Sequence, residues 1–246
     1  MRRFTGKRYW LIGASEGLGR AVATRLADAG AEVIVSARSE DRLKELAAEI
    51  GPAATPLPVD VSDSAGARDA ANAAGELDGM VYLAGVYWPM PATEWEPDKA
   101  EMMADINYTG CMRAVSAVLP GMVERGAGHI VITGSLSGFR GLATAIGYGS
   151  SKAGCMYMAE ALHAELRGTG VDVQLINPGF IKTRLTDKND FTMPFIMEPG
   201  DAAREYVDHM RTDRFKKSFP TAFSLMFRLS QFLPDWAYYR TLGKGG

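Results

Sequence analysis

A short apolar run that stops at a glycine-rich turn and resumes as a helical pattern restricts this chain more than any other feature. Tyr9-Trp10-Leu11-Ile12 reads as a buried strand, Gly13-Ala14-Ser15-Glu16-Gly17-Leu18-Gly19 as a tight turn, and Leu18, Val22 and Leu26 as one side of a helix. Strand, turn and helix in this order open a β-α-β unit, and such units stack into a parallel sheet covered on both faces. The glycines allow a sharp turn and let backbone N–H groups at the helix N-terminus approach a pyrophosphate. The bland alternative is an ordinary glycine-rich turn; the flanking strand and helix favour the phosphate reading.

The alternation continues with strands at Glu32–Ser36, 55–60 and 79–84 and a helix around 65–74. After the second strand, dinucleotide sites usually place a carboxylate for a ribose 2′-OH, but this chain has Ala37-Arg38-Ser39. A guanidinium suits a 2′-phosphate, which predicts NADP(H) in preference to NAD(H); the plainer reading is a surface arginine before the helix at 41–50. Asp60, with Val61, either lies where an adenine ring would rest or starts a turn. Glu16 opposes a phosphate-rich ligand and is expected to point outward.

At 246 residues, 47% of them hydrophobic, the chain can bury one sizeable core, and no composition break divides it. Residues 1–246 are therefore read as one domain, with 184–215 as a substrate-loop region and 216–246 as an apolar tail. Twenty-seven basic against twenty-nine acidic residues, a formal charge of -2, argue against a nucleic-acid partner. Cys111 and Cys155 lack C-x-x-C spacing and read as buried reduced thiols. His129, His163 and His209 are scattered, so no metal is expected. The first ten residues hold no signal-like apolar stretch and no run has bilayer-spanning length, which predicts a cytoplasmic protein.

The second constraint lies between Gly134 and Lys152. Ser135 follows the β-branched run Ile130-Val131-Ile132-Thr133, and Tyr148 and Lys152 stand four apart in a segment that stays apolar to Leu162. On a helix such a pair shares a face, which sets the ammonium beside the phenol. A free phenol is a poor base at neutral pH, and a fixed cation beside it favours the phenolate. A hydroxyl at the carboxyl end of a strand completes a set suited to a carbonyl that gains or loses a hydride. Tyr and Lys four apart is usually only a solvated pair; the serine after a strand makes the pattern specific. Alternation along an extended chain is expected to turn Ser137 away from Ser135, and Ser150 and Ser151 should point off the Tyr148–Lys152 face.

With these residues together, the chain resembles the short-chain dehydrogenase/reductase family over roughly residues 6 to 185. Gly13-x-x-x-Gly17-x-Gly19 is similar to its dinucleotide motif, and Tyr148-x-x-x-Lys152 with Ser135 upstream to its catalytic motif. The resemblance implies an α/β fold, a doubly wound Rossmann-type domain with strand order 3-2-1-4-5-6 extended by a seventh strand. It implies an NADP(H)-dependent oxidoreductase in which Tyr148 moves the proton, Ser135 steadies the substrate oxygen, and Lys152 assists Tyr148 and binds the nicotinamide ribose. Asn107 matches the family's helix asparagine, whose backbone or bound water links Lys152 to solvent; by itself it reads as an ordinary asparagine in a helix over 98–123. Cofactor contacts are implied for Gly13, Ser15, Gly17, Leu18, Gly19, Arg38, Asp60, Val61, Ala84, Gly85, Tyr148 and Lys152. They are also implied for Pro178, Gly179, Ile181 and Thr183, in a segment that meets the nicotinamide carboxamide in that family. Two positions depart from the pattern: Ile12 stands where threonine is common, and Tyr82-Leu83-Ala84-Gly85 replaces the usual Asn-Asn-Ala-Gly. The helices at 98–123 and 146–167 are apolar over more than one stripe, and family members pair such helices into homodimers and homotetramers, the assembly expected here.

Three segments beyond strand ends are rich in large apolar residues: Tyr87 to Met90, Phe139 to Leu142 and Phe191 to Met197. They are placed to line a pocket for a bulky apolar carbonyl or alcohol, or to pack as lid core or interface. For the tail, three roles compete in this order: closing the pocket, subunit contact, and lying on a membrane surface. The rival functions are a catalytically silent NADP(H)-sensing scaffold and an epimerase or dehydratase that recycles its cofactor.

Overall fold

Side-chain alternation along the strands decides the architecture. In β1 (Arg8–Ile12), Tyr9 and Leu11 enter one core cluster and Trp10 and Ile12 the other, and all four are buried. A strand buried on both faces needs helices on both sides, the condition that parallel sheets meet. The computed structural model describes residues 1–241; the last tail residues, 242–246, lie outside the described residues. It shows a seven-stranded parallel sheet in the order β3-β2-β1-β4-β5-β6-β7, as expected. The other strands are β2 (Glu32–Ser36), β3 (Ala54–Pro56), β4 (Gly79–Tyr82), β5 (Gly128–Thr133), β6 (Val171–Pro178) and β7 (Lys216–Phe219).

One face is covered by α1 (Gly17–Asp28), α2 (Glu40–Ile50) and α7 (Pro199–Met210), through Val22, Leu26, Leu43, Leu46 and Tyr206 among others. The opposite face is covered by α3 (Ser64–Ala74), α5 (Gly110–Arg125) and α6 (Ile146–Glu165), through Ala70, Val115, Met122, Cys155 and Met156. Each fully buried Leu, Val or Met contributes about 1.5–3 kcal/mol, so both layers are fixed mainly by these stripes. The short α4 (Pro97–Ala104) precedes α5, and α8 (Thr221–Ser230) and α9 (Asp235–Thr241) follow the sheet. Both cysteines are free and buried.

Four elements differ from their sequence reading, the fourth strand only in ending at Tyr82 instead of 84. The third strand pairs over Ala54–Pro56 instead of 55–60, although Leu57 and Val59 still donate to Val35 and Ala37; Pro56 and Pro58 alternate with them on this edge strand, where the missing N–H faces away from β2. The seventh strand is Lys216–Phe219, so the first residues of the expected tail belong to the sheet; their polar side chains hid the strand. The helix at 98–123 is broken at Asp105–Thr109 by one wide turn of π type. Adjacent β1 and β4 send their chains to opposite sides, which opens a crevice at their carboxyl ends.

Candidate active site

Gly134 carries the chain out of β5, where a Cβ would overlap the side-chain oxygen of Asn177 on β6. Ser135 follows in extended conformation, and Leu136–Gly138 then make a single 3-10 turn. That turn reverses the expectation for Ser137: its N–H (3.2 Å) and hydroxyl (3.0 Å) both donate to Ser135 Oγ. Strand alternation does not apply once the backbone curls.

Tyr148 and Lys152 lie one turn apart near the start of α6. Lys152 is 3% exposed; its Nζ donates to the Thr133 carbonyl at 3.0 Å and stands 5.8 Å from the centre of the Tyr148 ring. An ammonium has three donors, and burying one costs free energy unless oxygens answer them. Among the described residues Thr133 is its one recorded acceptor, which suits a ligand that brings hydroxyl oxygens.

Asn107 sits in the wide turn with no exposed surface. Its Oδ1 accepts from Val86 N–H (2.7 Å), and its Nδ2 donates to the Val86 carbonyl and to Ser151 Oγ (both 3.0 Å). Ser151 is buried, and its hydroxyl donates to the Tyr148 carbonyl at 2.8 Å, so this serine ties Asn107 to the first turn of α6. Ser150 back-bonds to Ile146, as an exposed helix serine does. The Asn107 carbonyl accepts from the Cys155 thiol at 3.0 Å. A Cβ placed on Gly85 would lie 3.4 Å from Asn107 Oδ1 and 3.7 Å from Lys152 Nζ, so the two groups flank one spot beside the chain leaving β4.

The glycine turn lies across the crevice. Gly13 has φ +94, and a Cβ there would overlap the Ala84 backbone, so this turn and the β4 exit touch main chain to main chain. Gly17 has φ +56 and its Cβ would meet the Thr183 methyl at 2.8 Å, while Gly19 packs on the Gly13 carbonyl. Residue Glu16 makes no side-chain cap to α1, and the first turn of that helix holds no acidic residue. Its terminal N–H groups are left for an anion, and the dinucleotide pyrophosphate fits. Ser15 lies in this turn, and Leu18 packs on the core beneath it. Glu16 pairs with Arg42 (2.7 Å) and Arg184 (2.9 Å).

Arg38 lines a cleft with Ser62, facing Asp98, Glu101, Met102, Asp105 and Ile106. Asp60 makes the turn reading concrete: its Oδ1 accepts from Ser62 N–H (2.9 Å) and Ser62 hydroxyl (2.7 Å). Partial burial works to raise this carboxyl, but the Ser62 hydrogen bonds, with Arg38 and Arg113 nearby, outweigh it and hold the group below its usual range. Val61 is buried in the core. Beyond β6, Gly179 N–H donates to the Phe219 carbonyl (2.7 Å), Ile181 bridges Met197, and Thr183 N–H donates to Thr186 Oγ1 (3.0 Å). Pro178 closes the β6–β7 pairing opposite Phe219.

Aromatic side chains roof the crevice. The Tyr87 ring meets Tyr148 edge to face at 5.0 Å, and its hydroxyl donates to Asn189 at 3.0 Å. Burial, then Tyr148 and Asp190, pushes the Tyr87 phenol up to about 12 and keeps it a donor. Lys188 donates to the Tyr87 carbonyl (2.7 Å) and lies over the Trp88 ring (4.3 Å). Phe180 joins Phe191 (5.8 Å) and Phe223 (5.7 Å), and Phe223 joins Phe195 (5.6 Å) and Phe227 (5.1 Å). Of the first loop, Met90 serves as lid core on Ala100 and Met103. Arg140, just past Ser135, donates to the Ser230 and Leu233 carbonyls (2.7 Å each) and pairs with Asp235.

A family model described as short chain dehydrogenase matches residues 7–193. The chain belongs to the short-chain dehydrogenase family. A Myxococcus xanthus protein named an uncharacterized oxidoreductase is 39% identical over 232 residues, covering 92% of each chain. A solved short chain dehydrogenase/reductase family protein superimposes with TM-score 0.79 at 26% identity, over 84% of this chain and 90% of that one. A short chain dehydrogenase from Burkholderia cenocepacia in complex with NADP has TM-score 0.88 at 21% identity, over 99% and 100%, a likeness of fold.

The family name gives the Tyr82 departure a context. In this short-chain dehydrogenase Tyr82 is buried, and its hydroxyl donates to the Ile106 carbonyl at 2.6 Å, inside the wide turn that carries Asn107. Gly110 makes room for it, since a Cβ there would lie 2.6 Å from that hydroxyl. Ser137, Ser151, Tyr82 and Arg140 are the residues at this site that sequence reasoning missed. The Tyr82 departure from the family pattern was the one available signal.

Proposed function

We propose that this oxidoreductase interconverts a carbonyl and a secondary alcohol on a bulky apolar substrate with NADP(H), and that Ser135, Tyr148, Lys152 and Asn107 carry the chemistry. The observation behind the reading is the buried Lys152 ammonium, which faces the same spot as Asn107 Oδ1 one helical turn from Tyr148. NADP(H), when bound, supplies or accepts the hydride at the substrate carbon. Ser135 Oγ, oriented by Ser137, donates to the substrate oxygen. Tyr148 transfers the proton at that oxygen, and the Lys152 charge stabilises the phenolate left behind. Lys152 also holds the ribose hydroxyls with the donors that Thr133 does not use. The Asn107 amide fixes Val86 and, through Ser151, the first turn of α6, and so sets the distance between cofactor wall and tyrosine.

Arg38 supports the 2′-phosphate reading, because no carboxylate stands between Ser36 and Arg38 to take a ribose hydroxyl. The aromatic roof supports an apolar substrate. The chain is read as one dinucleotide-binding domain that works in the cytoplasm, where its two thiols stay reduced. It is read as a homodimer or homotetramer through α5 and α6, which leave Met112, Val123 and Tyr157 exposed.

A panel of carbonyls from small polar to long-chain, followed by NADPH absorbance, tests this. Net NADPH consumption that rises with apolar bulk is expected; none with any carbonyl leaves the silent scaffold or the recycling epimerase. Tyr148→Phe should bind NADPH normally and lose about 10²–10⁴-fold in turnover. Retained turnover removes the phenol from the chemistry. Arg38→Asp should move preference towards NADH by tenfold or more, roughly one lost charged phosphate contact; an unchanged ratio assigns the 2′-position to another residue.

A further inference from the structure

The two C-terminal helices present different faces. Phe223, Ser224 and Ser230 of α8 are buried, and Phe223 rests on Phe180 and against Gly179, so the inner face closes the crevice. The outer face carries Leu225, Met226 and Leu229, followed by Phe232, with Arg228, three after Leu225 and four before Phe232, as the one charged residue of α8 at its edge. Leu229 is 63% exposed, Phe232 84%, and Trp236 on the next helix 74%. Side chains of this size, exposed in series along two helices, form a surface that soluble proteins seldom leave to water.

The corner between the helices is held from inside. Arg140 forks onto the Ser230 and Leu233 carbonyls and onto Asp235, and its guanidinium lies 4.0 Å from the centre of the Tyr238 ring. The Tyr238 hydroxyl donates back to the Gly141 carbonyl at 2.8 Å. The apolar face is thus fixed outward.

Charge decides what it meets. Residues 211–246 hold seven basic and two acidic residues in a chain whose formal charge is -2. Two of the cations, Lys216 and Lys217, are paired with Glu160 and Glu205, and Asp235 is taken by Arg140. Arg228 and Arg240 border the apolar face with no carboxylate partner among the described residues. In a two-fold dimer this patch would meet itself and set these cations against their own copies, an arrangement that disfavours association. An anionic lipid surface answers both features: it accepts the apolar side chains, attracts the flanking arginines, and suits Trp236 and Tyr239 at headgroup depth.

We infer that the outer face of α8 and α9 is a peripheral docking surface for a bilayer containing anionic lipid. Closing the crevice and touching a membrane, rivals in the sequence reading, then belong to opposite faces of the same helices. The inference stands independently of the proposed reaction.

The test is flotation of the full chain with phosphatidylcholine vesicles, with and without phosphatidylglycerol. It compares the wild type with a Leu229→Ser, Phe232→Ser, Trp236→Ser variant. All three positions are exposed, so the variant should keep its thermal unfolding midpoint and its NADPH binding. The wild type should float with the phosphatidylglycerol vesicles, less so as salt rises, and the variant should lose about tenfold or more of that binding. A wild type that stays in solution with both vesicles at low salt overturns the proposal. So does equal binding by the variant. If the wild type does not float and the variant sediments as a smaller species, the occupant is a second copy of the chain.

Discussion

Lys152 and Asn107 on one side of the crevice are buried, and each polar atom of the Asn107 amide is matched to a neighbour's backbone or to Ser151. On the other side Phe191, Phe195 and Ile196 are about half exposed, and the two phenylalanine rings meet those of Phe180 and Phe223. The first region is a wall made of strand ends and the start of α6, where directional bonds leave each side chain a single position. The second is a cover made of a long loop and two terminal helices, where contact area replaces geometry. Reaction chemistry tolerates little displacement, and a misplacement of about 1 Å can cost on the order of a hundredfold. Apolar recognition is forgiving, because dispersion contacts are many and individually weak. One molecule can therefore keep its wall constant while its cover adapts to the substrate.

Removing the amide at the centre of the wall should give the largest effect. Asn107→Ala leaves the part-buried Val86 N–H and carbonyl and the buried Ser151 hydroxyl without this partner. Unmet buried groups cost about 1–3 kcal/mol each, so unfolding should be easier by about 2–4 kcal/mol. Turnover should fall by roughly a hundredfold as Tyr148 and the β4 exit lose their common brace. Thermal unfolding and steady-state kinetics on the same preparation measure both. Should stability drop while turnover per folded molecule is unchanged, the amide braces the fold alone and the wall is less exacting than argued.

The same division explains what could be read in the chain. The glycine turn and the Tyr148–Lys152 pair announce themselves because strand, turn and helix periodicities are local, and each residue's job depends on neighbours within a few positions. The wide turn at Asp105–Thr109 was hidden because one extra residue per turn barely disturbs an apolar pattern that continues on both sides. Without that turn the Asn107 amide has no visible target. Ser137 follows from ideal strand geometry only until the 3-10 turn overrules it, and the partner of Ser151, Asn107, lies 44 residues away in sequence. The strand Lys216–Phe219 has too few apolar residues to be seen without the edge of β6 beside it. Arg140 gave no sign at all, since its partners lie 90 or more residues away in sequence.

Arg140 is also where wall and cover are joined, and it gives the finest test of the contrast between them. It follows Ser135 by five residues, yet its donors serve the last carbonyls of α8 and the turn into α9. Arg140→Ala removes these bonds and the contact with the Tyr238 ring, which frees the corner of the cover without touching Ser135 Oγ. Hydrogen bonds from a charged donor contribute about 1.5–3 kcal/mol each, and exposure to solvent lowers that figure. The KM for a bulky apolar carbonyl should rise by roughly tenfold, with kcat and NADPH affinity within about threefold of the wild type. Arg140→Lys should recover only part of the loss, because a point charge cannot fork onto two carbonyls and stack on the Tyr238 ring at once. If kcat falls by as much as KM rises, the arginine acts on the serine loop, and the boundary between wall and cover must be moved to include the C-terminal helices.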